Sequence, residues 1–173
     1  MALGPCITRF TSCRPAVAID GTHIKGKYKG VLYVAAAVDG NEQICPIAFG
    51  IEDLENDQGW KWFLNELRNI IRCPRDLILI SNSHISIKNV VEEVFPDAAY
   101  GLCDFHKKKN LKKYNNGKVI DIFQYALRVY RTETFRAQMK ELKNINQKAY
   151  IELIEVDVHK WSYVGMTTGR VPA

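Results

Sequence analysis

The chain has 173 residues, 47% hydrophobic and 25% charged, which is ordinary for a globular protein of one domain or little more. Its net charge of +5 permits an anionic partner such as nucleic acid without requiring one. The five cysteines are scattered, which excludes a disulfide framework and indicates a reducing compartment. We see no signal peptide and no run of about eighteen apolar residues, so we expect no membrane span.

The first half of the sequence predicts strands. Residues 1–15 show little periodicity, and we assign this lead-in no fold. Three strand-like runs follow, Ala16 to Asp20, Val31 to Val38 and Ile44 to Ile51. The segment Asp39 to Glu42 reads DGNE and predicts a hairpin between the second and third runs, because Asp-Gly and Gly-Asn adopt positive φ easily.

The pattern then alternates between helix and strand. Apolar residues from Trp60 to Ile71 share one helical face, with Asn56 or Asp57 as N-cap and Pro74 as the stop. The next predicted elements are a strand at 77–80, a helix at 87–94 and a strand at 98–103. From Asp104 onward the sequence predicts helices, the last of them from Gln147 to Val158. One apolar helical face comprises Val119, Ile122, Phe123, Ala126, Leu127 and Tyr130.

This order predicts an α/β protein, with an RNase H-like mixed five-stranded sheet flanked by helices and followed by an α-helical extension. We place the core at 16–114, the extension at 115–164 and a tail at 165–173.

Asp20 closes the first apolar run and is the first candidate site residue. In an RNase H-like layout it lies on the central strand, and Asn82 follows the neighbouring parallel strand. Nucleases of this fold hold two divalent metals between carboxylates at these positions. An amide oxygen brings no negative charge, so Asn82 weakens such a site. In the alternative interpretation, Asp20 caps the following turn through Thr22.

Cys103 and His106 form a C-x-x-H pair at a strand-to-helix junction. A zinc site normally needs four ligands, no second pair follows at a plausible spacing, and His159 is distant. We favour a structural interpretation, in which Cys103 is buried and His106 makes a hydrogen bond that orients the junction.

Two lysine clusters are candidate DNA-binding residues. The clusters are Lys25, Lys27 and Lys29, and Lys107, Lys108, Lys109, Lys112 and Lys113. Phosphate contact and a merely solvated helix face both remain open explanations.

Several segments occur in an order that resembles one known family. They are the DGT strand, the DGN hairpin, the W-x-W-F helix, the VFPDA segment and the C-x-x-H motif before a basic helix. Over roughly Pro15 to Thr168 the chain resembles the DDE catalytic core of Mutator-like element (MULE) transposases of plants. The resemblance implies DNA cutting and strand transfer with Mg or Mn, DNA as partner, assembly with itself or a related transposase, and a nuclear location.

The resemblance also assigns residues. The first catalytic aspartate corresponds to Asp20, the second to Asn82, and the family's C-x-x-H to Cys103 and His106. A third carboxylate is expected after Trp161, where this sequence has Gly169 in place of an asparagine and no glutamate follows. We therefore expect an inactive, transposase-derived domain that binds no metal stably. Two alternatives are a domesticated DNA-binding or transcription-regulatory remnant, and an active nuclease completed by another subunit.

Overall fold

The computed structural model describes residues 1–2, 4–71, 74, 76–82 and 85–164. The helices and strands are, in order, α1 Gly4–Phe10, β1 Cys13–Ile24, β2 Gly30–Asp39, β3 Ile44–Glu52, α2 Asp57–Ile71, β4 Ile78–Ser81, α3 Ile85–Val94, β5 Ala99–Leu102, α4 Asp104–Leu111, α5 Gly117–Arg128, α6 Thr132–Ile145 and α7 Gln147–Glu155. Short 3-10 helices occupy Lys112–Tyr114 and Val158–Lys160.

The chain divides into two compact units, residues 1–100 and 101–173. The domain bounds expected from the sequence stay a prediction. The predicted tail, including Gly169, lies outside the described residues. In the part of the chain that is described, no helix combines the length and apolar character needed to cross a bilayer.

One sheet of five strands contains all the predicted strands. Its order is β3-β2-β1-β4-β5, with β1 antiparallel to β2, β2 antiparallel to β3, and β1 parallel to β4. This mixed sheet, flanked by helices, is the RNase H-like arrangement, and it confirms the fold class expected from the order of the elements.

The hairpin between β2 and β3 forms where it was predicted, but glycine does not supply its left-handed residue. The N–H of Glu42 donates to the carbonyl of Asp39 at 3.1 Å, which closes a turn, and Glu42 itself has a φ of 62°. Oδ1 of Asp39 accepts the N–H groups of Asn41 at 2.9 Å and Gln43 at 3.0 Å. This side chain therefore holds the turn in a form that a Gly-based rule does not predict.

Helices α2 and α3 pack their apolar faces on the sheet and form the core of the first unit. Tyr33 of β2 is fully buried, with ring centroids 4.5 Å from Trp60 and 5.6 Å from Phe63. Asn56 caps α2, as predicted, because its Oδ1 accepts the N–H of Gly59 at 2.8 Å. Further members of this core are Val17, Ile19, Leu64, Leu67, Leu79, Ile87, Val90 and Val91.

The lead-in has more structure than its sequence predicts. Residues 4–10 form α1, Phe10 is buried in the core, and the carbonyl of Met1 accepts the N–H of Phe49 at 2.9 Å. Strand β1 also continues past Gly21, where the sequence predicts its end. A Cβ at Gly21 would lie 3.1 Å from the ring of Trp60, so glycine permits this close approach of helix and strand.

The second unit has its own core, centred on Trp161. The indole ring lies 5.5 Å from that of Phe123 and 5.8 Å from that of Phe135, and its N–H donates to the carbonyls of Leu153 and Val156. The expected inward position of Tyr130 is wrong. Helix α5 ends at Arg128, so Tyr130 lies beyond the helical pattern and is 71% exposed.

Candidate functional site

Asp20 and Asn82 follow the paired segments of two adjacent strands. Strands β1 and β4 are parallel and pair Ala18 with Ile80. Asp20 lies two residues beyond Ala18 on β1, and Asn82 lies two residues beyond Ile80, just past the end of β4 at Ser81. Since side chains alternate between the faces of a strand, Asp20 lies on the face of β1 opposite to the buried Val17 and Ile19.

Asp20 is half-buried and makes a local hydrogen bond. Its Oδ1 accepts the N–H of Gly21 at 3.1 Å. The capping interpretation through Thr22 does not hold, because Thr22 pairs with Leu32 within the sheet and the turn comes only after Ile24. At the end of β4, the carbonyl of Asn82 accepts the hydroxyls of Ser81 at 2.8 Å and Tyr100 at 3.1 Å.

Glu55 is a carboxylate beside β1 that sequence reasoning missed. It accepts the indole N–H of Trp60 at 3.3 Å and lies 3.9 Å from Nε2 of His23. Its Oε1 would be 3.1 Å from a Cβ placed on Gly21. Gly21 and His23 face the other side of β1 from Asp20, so Glu55 does not join Asp20 in a common site.

The residues at this position do not fit the two-metal centre that the fold family implies. Asp20 and Asn82 offer one carboxylate and one neutral amide, whereas a pair of divalent cations needs shared negative oxygens. Across the described residues, no group of three or more His, Cys, Asp or Glu side chains is arranged to hold a metal. The conclusion follows from the chemical types of the two side chains, which are one carboxylate and one neutral amide.

Cys103 and His106 lie where the C-x-x-H motif was expected, at the start of α4. Cys103 is the N-cap residue, and its carbonyl accepts the N–H of Lys107 at 3.1 Å. The ring of His106 packs edge-on against Phe105 at 5.6 Å. The orienting hydrogen bond expected of His106 is not seen at Nδ1, which is buried and has no partner among the described residues.

The five lysines of the second cluster are not equivalent. Lys107 is only 3% exposed. Burial lowers its pKa, the carboxylate of Glu152 partly opposes this shift, and the charge of Lys113 adds to it. Lys113 is itself engaged, with Nζ 2.7 Å from Oε2 of Glu152. Lys107 is therefore a poor candidate for phosphate contact.

The carboxylate of Glu152 accepts hydrogen bonds from two side chains of this segment, the first being that of Lys113. Its Oε2 also accepts the hydroxyl of Tyr114 at 2.6 Å. Burial raises the pKa of Glu152, but the hydrogen bonds from Lys113 and Tyr114 and the nearby ammonium charges outweigh it, and the net shift is downward. The carboxylate thus ties α7 to the 3-10 turn and neutralises part of the basic run.

Other lysines remain at the surface. Lys109 and Lys112 are exposed and Lys108 is half-buried on α4 and the turn after it. In the first unit, Lys25, Lys27 and Lys29 are exposed on the loop between β1 and β2, where Lys27 lies 5.6 Å from the ring centroid of Tyr28.

The sheet order and the position of Asp20 define the class of protein as an RNase H-like α/β domain. The family model described as the MULE transposase domain matches residues 16–110, more than half of the chain. The chain belongs to this family. The match confirms the resemblance inferred from the DGT strand, the hairpin and the C-x-x-H segment.

Individual relatives are more distant. The PKS-NRPS hybrid synthetase cheA of Chaetomium globosum is 24% identical over 110 residues, which are 61% of this chain and 2% of that protein. The chain therefore spans a very small part of this curated relative.

Among solved structures, similar chains occur in an intasome complex, an integrase catalytic core and a transposase catalytic domain. A simian T-cell lymphotropic virus intasome complex with PP2A regulatory subunit B56 gamma matches at TM-score 0.40 and 10% identity, over 83% of this chain and 48% of that one. The HTLV-2 integrase catalytic core with magnesium matches at TM-score 0.38 and 15% identity, over 82% and 86%. The Mos1 transposase catalytic domain with Raltegravir and Mn matches at TM-score 0.38 and 12% identity, over 98% and 92%.

Proposed function

We propose that this domain binds DNA as MULE transposases do but does not cut it with divalent metal. What supports the proposal is that Asp20 and Asn82 each stand two residues beyond Ala18 and Ile80, the last pair of the parallel β1–β4 register. In a transposase both positions supply negative oxygens to the metals. Here the amide leaves Asp20 as the one charged ligand of the pair, which weakens metal binding and the activation of water.

The surface charge supports DNA as the partner. The chain carries a net charge of +5, and six lysines with solvent access lie on one loop, on α4 and on the 3-10 turn after it: Lys25, Lys27, Lys29, Lys108, Lys109 and Lys112. Grouped ammonium groups bind phosphates and release counterions. A nuclear location and assembly with another copy or a related transposase belong to the same proposal.

One experiment tests binding and cutting together. Duplex DNA is incubated with the protein in Mg²⁺ or Mn²⁺, and both the shift in mobility and the appearance of nicks are measured. We expect a shift without nicks. Metal-dependent nicking that Asp20→Ala abolishes would overturn the proposal, and so would the absence of any shift.

Titration with Mn²⁺ tests directly whether residue 82 contributes to metal binding. Asn82→Asp restores a carboxylate at the position that corresponds to the family's second catalytic aspartate, so we expect it to bind Mn²⁺ measurably more tightly than the unmodified chain. The control Asn69→Asp adds the same charge at an exposed position of α2 and leaves Mn²⁺ affinity unchanged. Equal gains in both variants would mean that residue 82 has no special relation to Asp20.

A further inference from the structure

An open cleft lies where α5 ends and α6 begins, within the second unit. Its volume is about 620 Å³, within the range of ligand-binding pockets of roughly 300–1,000 Å³. Its lining includes Tyr125 and Arg128 of α5, and Tyr130 and Arg131 of the connection to α6. No sequence motif singled out these residues.

The cleft is positively charged. Arg128 and Arg131 are exposed, and neither forms an ion pair with a described carboxylate, in contrast to Arg9 and Arg14. No acidic residue is among its described lining residues. Asp121 and Glu133, the nearest acidic residues in sequence, are exposed outside this lining. Two guanidinium groups are thus free to bind an anion.

The cleft is also aromatic. Tyr125 is 55% exposed and Tyr130 is 71% exposed, so neither ring belongs to the core. The ring of Tyr130 lies 5.0 Å from that of Tyr163, with an angle of 32° between the planes. This contact packs Tyr130 against Tyr163 at the surface, and the large exposed fraction of the Tyr130 ring offers an aromatic surface for stacking.

We propose that this cleft binds single-stranded nucleic acid, with bases stacked on Tyr125 and Tyr130 and phosphates held by Arg128 and Arg131. Aromatic faces combined with free cations are the pattern by which proteins bind unpaired strands. In a duplex the bases stack on one another, so tyrosine faces add little there, while lysines suffice for its phosphates. The inference rests on the proposed DNA binding and adds which form of the strand is bound, and where.

The test compares affinities for a fluorescent oligothymidylate of about 12 nucleotides and for a duplex, by anisotropy. The double variant Tyr125→Ser and Tyr130→Ser is expected to weaken oligothymidylate binding at least about fivefold, because stacking is lost. Tyr125→Phe with Tyr130→Phe keeps the rings and the affinity. The duplex affinity changes much less in both variants.

Arginine variants test the phosphate contacts. Arg128→Ala with Arg131→Ala should reduce the slope of log affinity against log salt by about 0.7 per contact for the single strand. The control Arg136→Ala removes an exposed arginine of α6 that is not among the described lining residues, and leaves affinity and slope nearly unchanged. Thermal unfolding midpoints close to that of the unmodified chain establish that all variants are folded.

The outcomes are distinguishable. If oligothymidylate affinity is the same with serine, or falls equally with phenylalanine, stacking in the cleft is wrong although DNA binding stands. If polyglutamate displaces the oligothymidylate as well as unlabelled oligothymidylate does, the cleft is a general anion site and the proposal is overturned. If neither form of DNA binds, the proposed function itself fails.

Discussion

Asp39 shows how much one side chain decides locally. Its carboxylate accepts two backbone N–H groups of the hairpin loop and pairs with Arg9 of α1. The hydrogen bond from the N–H of Gln43, followed by that from Arg9, holds the pKa of Asp39 below its usual range despite burial of the side chain. One residue thus connects the lead-in to the hairpin.

The lowered pKa of Asp39 predicts a pH-dependent loss of stability in Asp39→Asn. Because the folded-state pKa is depressed, the carboxylate stabilises the fold above its unfolded pKa of about 3.9, and this contribution is lost as pH falls through the folded value. We expect Asp39→Asn to lower the thermal midpoint at pH 7, with the difference from the unmodified chain shrinking below about pH 4. Thermal unfolding monitored by circular dichroism at several pH values measures it.

The exposed Asp97 provides the control. Asp97→Asn should change the midpoint little at any pH, since this carboxylate has no comparable set of partners among the described residues. If the thermal midpoint of Asp39→Asn differs from that of the unmodified chain by the same amount from pH 7 to pH 3, the charge of Asp39 is not the stabilising feature.

At the scale of elements, α2 meets the sheet through a close contact at Gly59. A Cβ built there would lie 2.6 Å from the hydroxyl oxygen of Tyr33, which donates to the carbonyl of Leu54 at 3.2 Å. The ring of Tyr33 contacts Trp60 and Phe63 and has no room to shift. Glycine at this helical position therefore serves packing, although it lowers intrinsic helix propensity.

Gly59→Ala is expected to lower the free energy of unfolding by up to about 2 kcal/mol, because an overpacking cost of about 1–3 kcal/mol outweighs a propensity gain of roughly 1 kcal/mol. The matched control is Gly117→Ala at the start of α5, where no heavy atom lies within 4 Å. This change should leave stability unchanged or raise it by up to about 1 kcal/mol. Urea unfolding measures both, and equal effects would refute the packing argument.

At the scale of the whole molecule, charge is the property that bears on the partner. The net charge of +5 alone is mild, but the structure sorts the lysines into buried, paired and exposed groups. Lys107 and Lys113 are removed from the set available to phosphates, and the exposed residues remain. The distribution of charge therefore says more about nucleic-acid binding than the total does.

The lysines with solvent access predict the salt dependence of duplex binding. Changing Lys108, Lys109 and Lys112 together to Ala should reduce the slope of log affinity against log salt by up to about 2.7, since each phosphate contact contributes about 0.9. Changing Lys140, Lys143 and Lys148, exposed on α6 and α7, removes the same charge and should reduce the slope much less. Anisotropy titrations at several salt concentrations measure it.

Lys107→Met adds a second comparison. Because Lys107 is buried, this variant should leave the slope unchanged. If Lys107→Met reduces the slope as much as the loss of an exposed lysine does, Lys107 is a phosphate contact after all. If the slope is unchanged in the triple variant of Lys108, Lys109 and Lys112, the basic run is only a solvated surface.

Local sequence patterns determine much of the structure of this protein. Period-two and helical periodicities, the DGNE turn and the Asn56 cap predict the strands, the hairpin and α2, because these depend on neighbours a few residues apart. The element order and motifs also predict the RNase H-like class and the MULE family. Asp20 and Asn82 are visible as types of residue in the sequence, together with the deficit of charge that they imply.

Tertiary structure decides whatever depends on distant partners. Only the tertiary structure pairs β1 with β4 in parallel, so that Asp20 and Asn82 follow adjacent strands, and only packing buries Lys107 within a run of lysines that look alike in sequence. The end of α5 at Arg128 turns Tyr130 outward and opens the arginine- and tyrosine-lined cleft. Burial and ion pairing join residues far apart in the chain, so no local pattern records them.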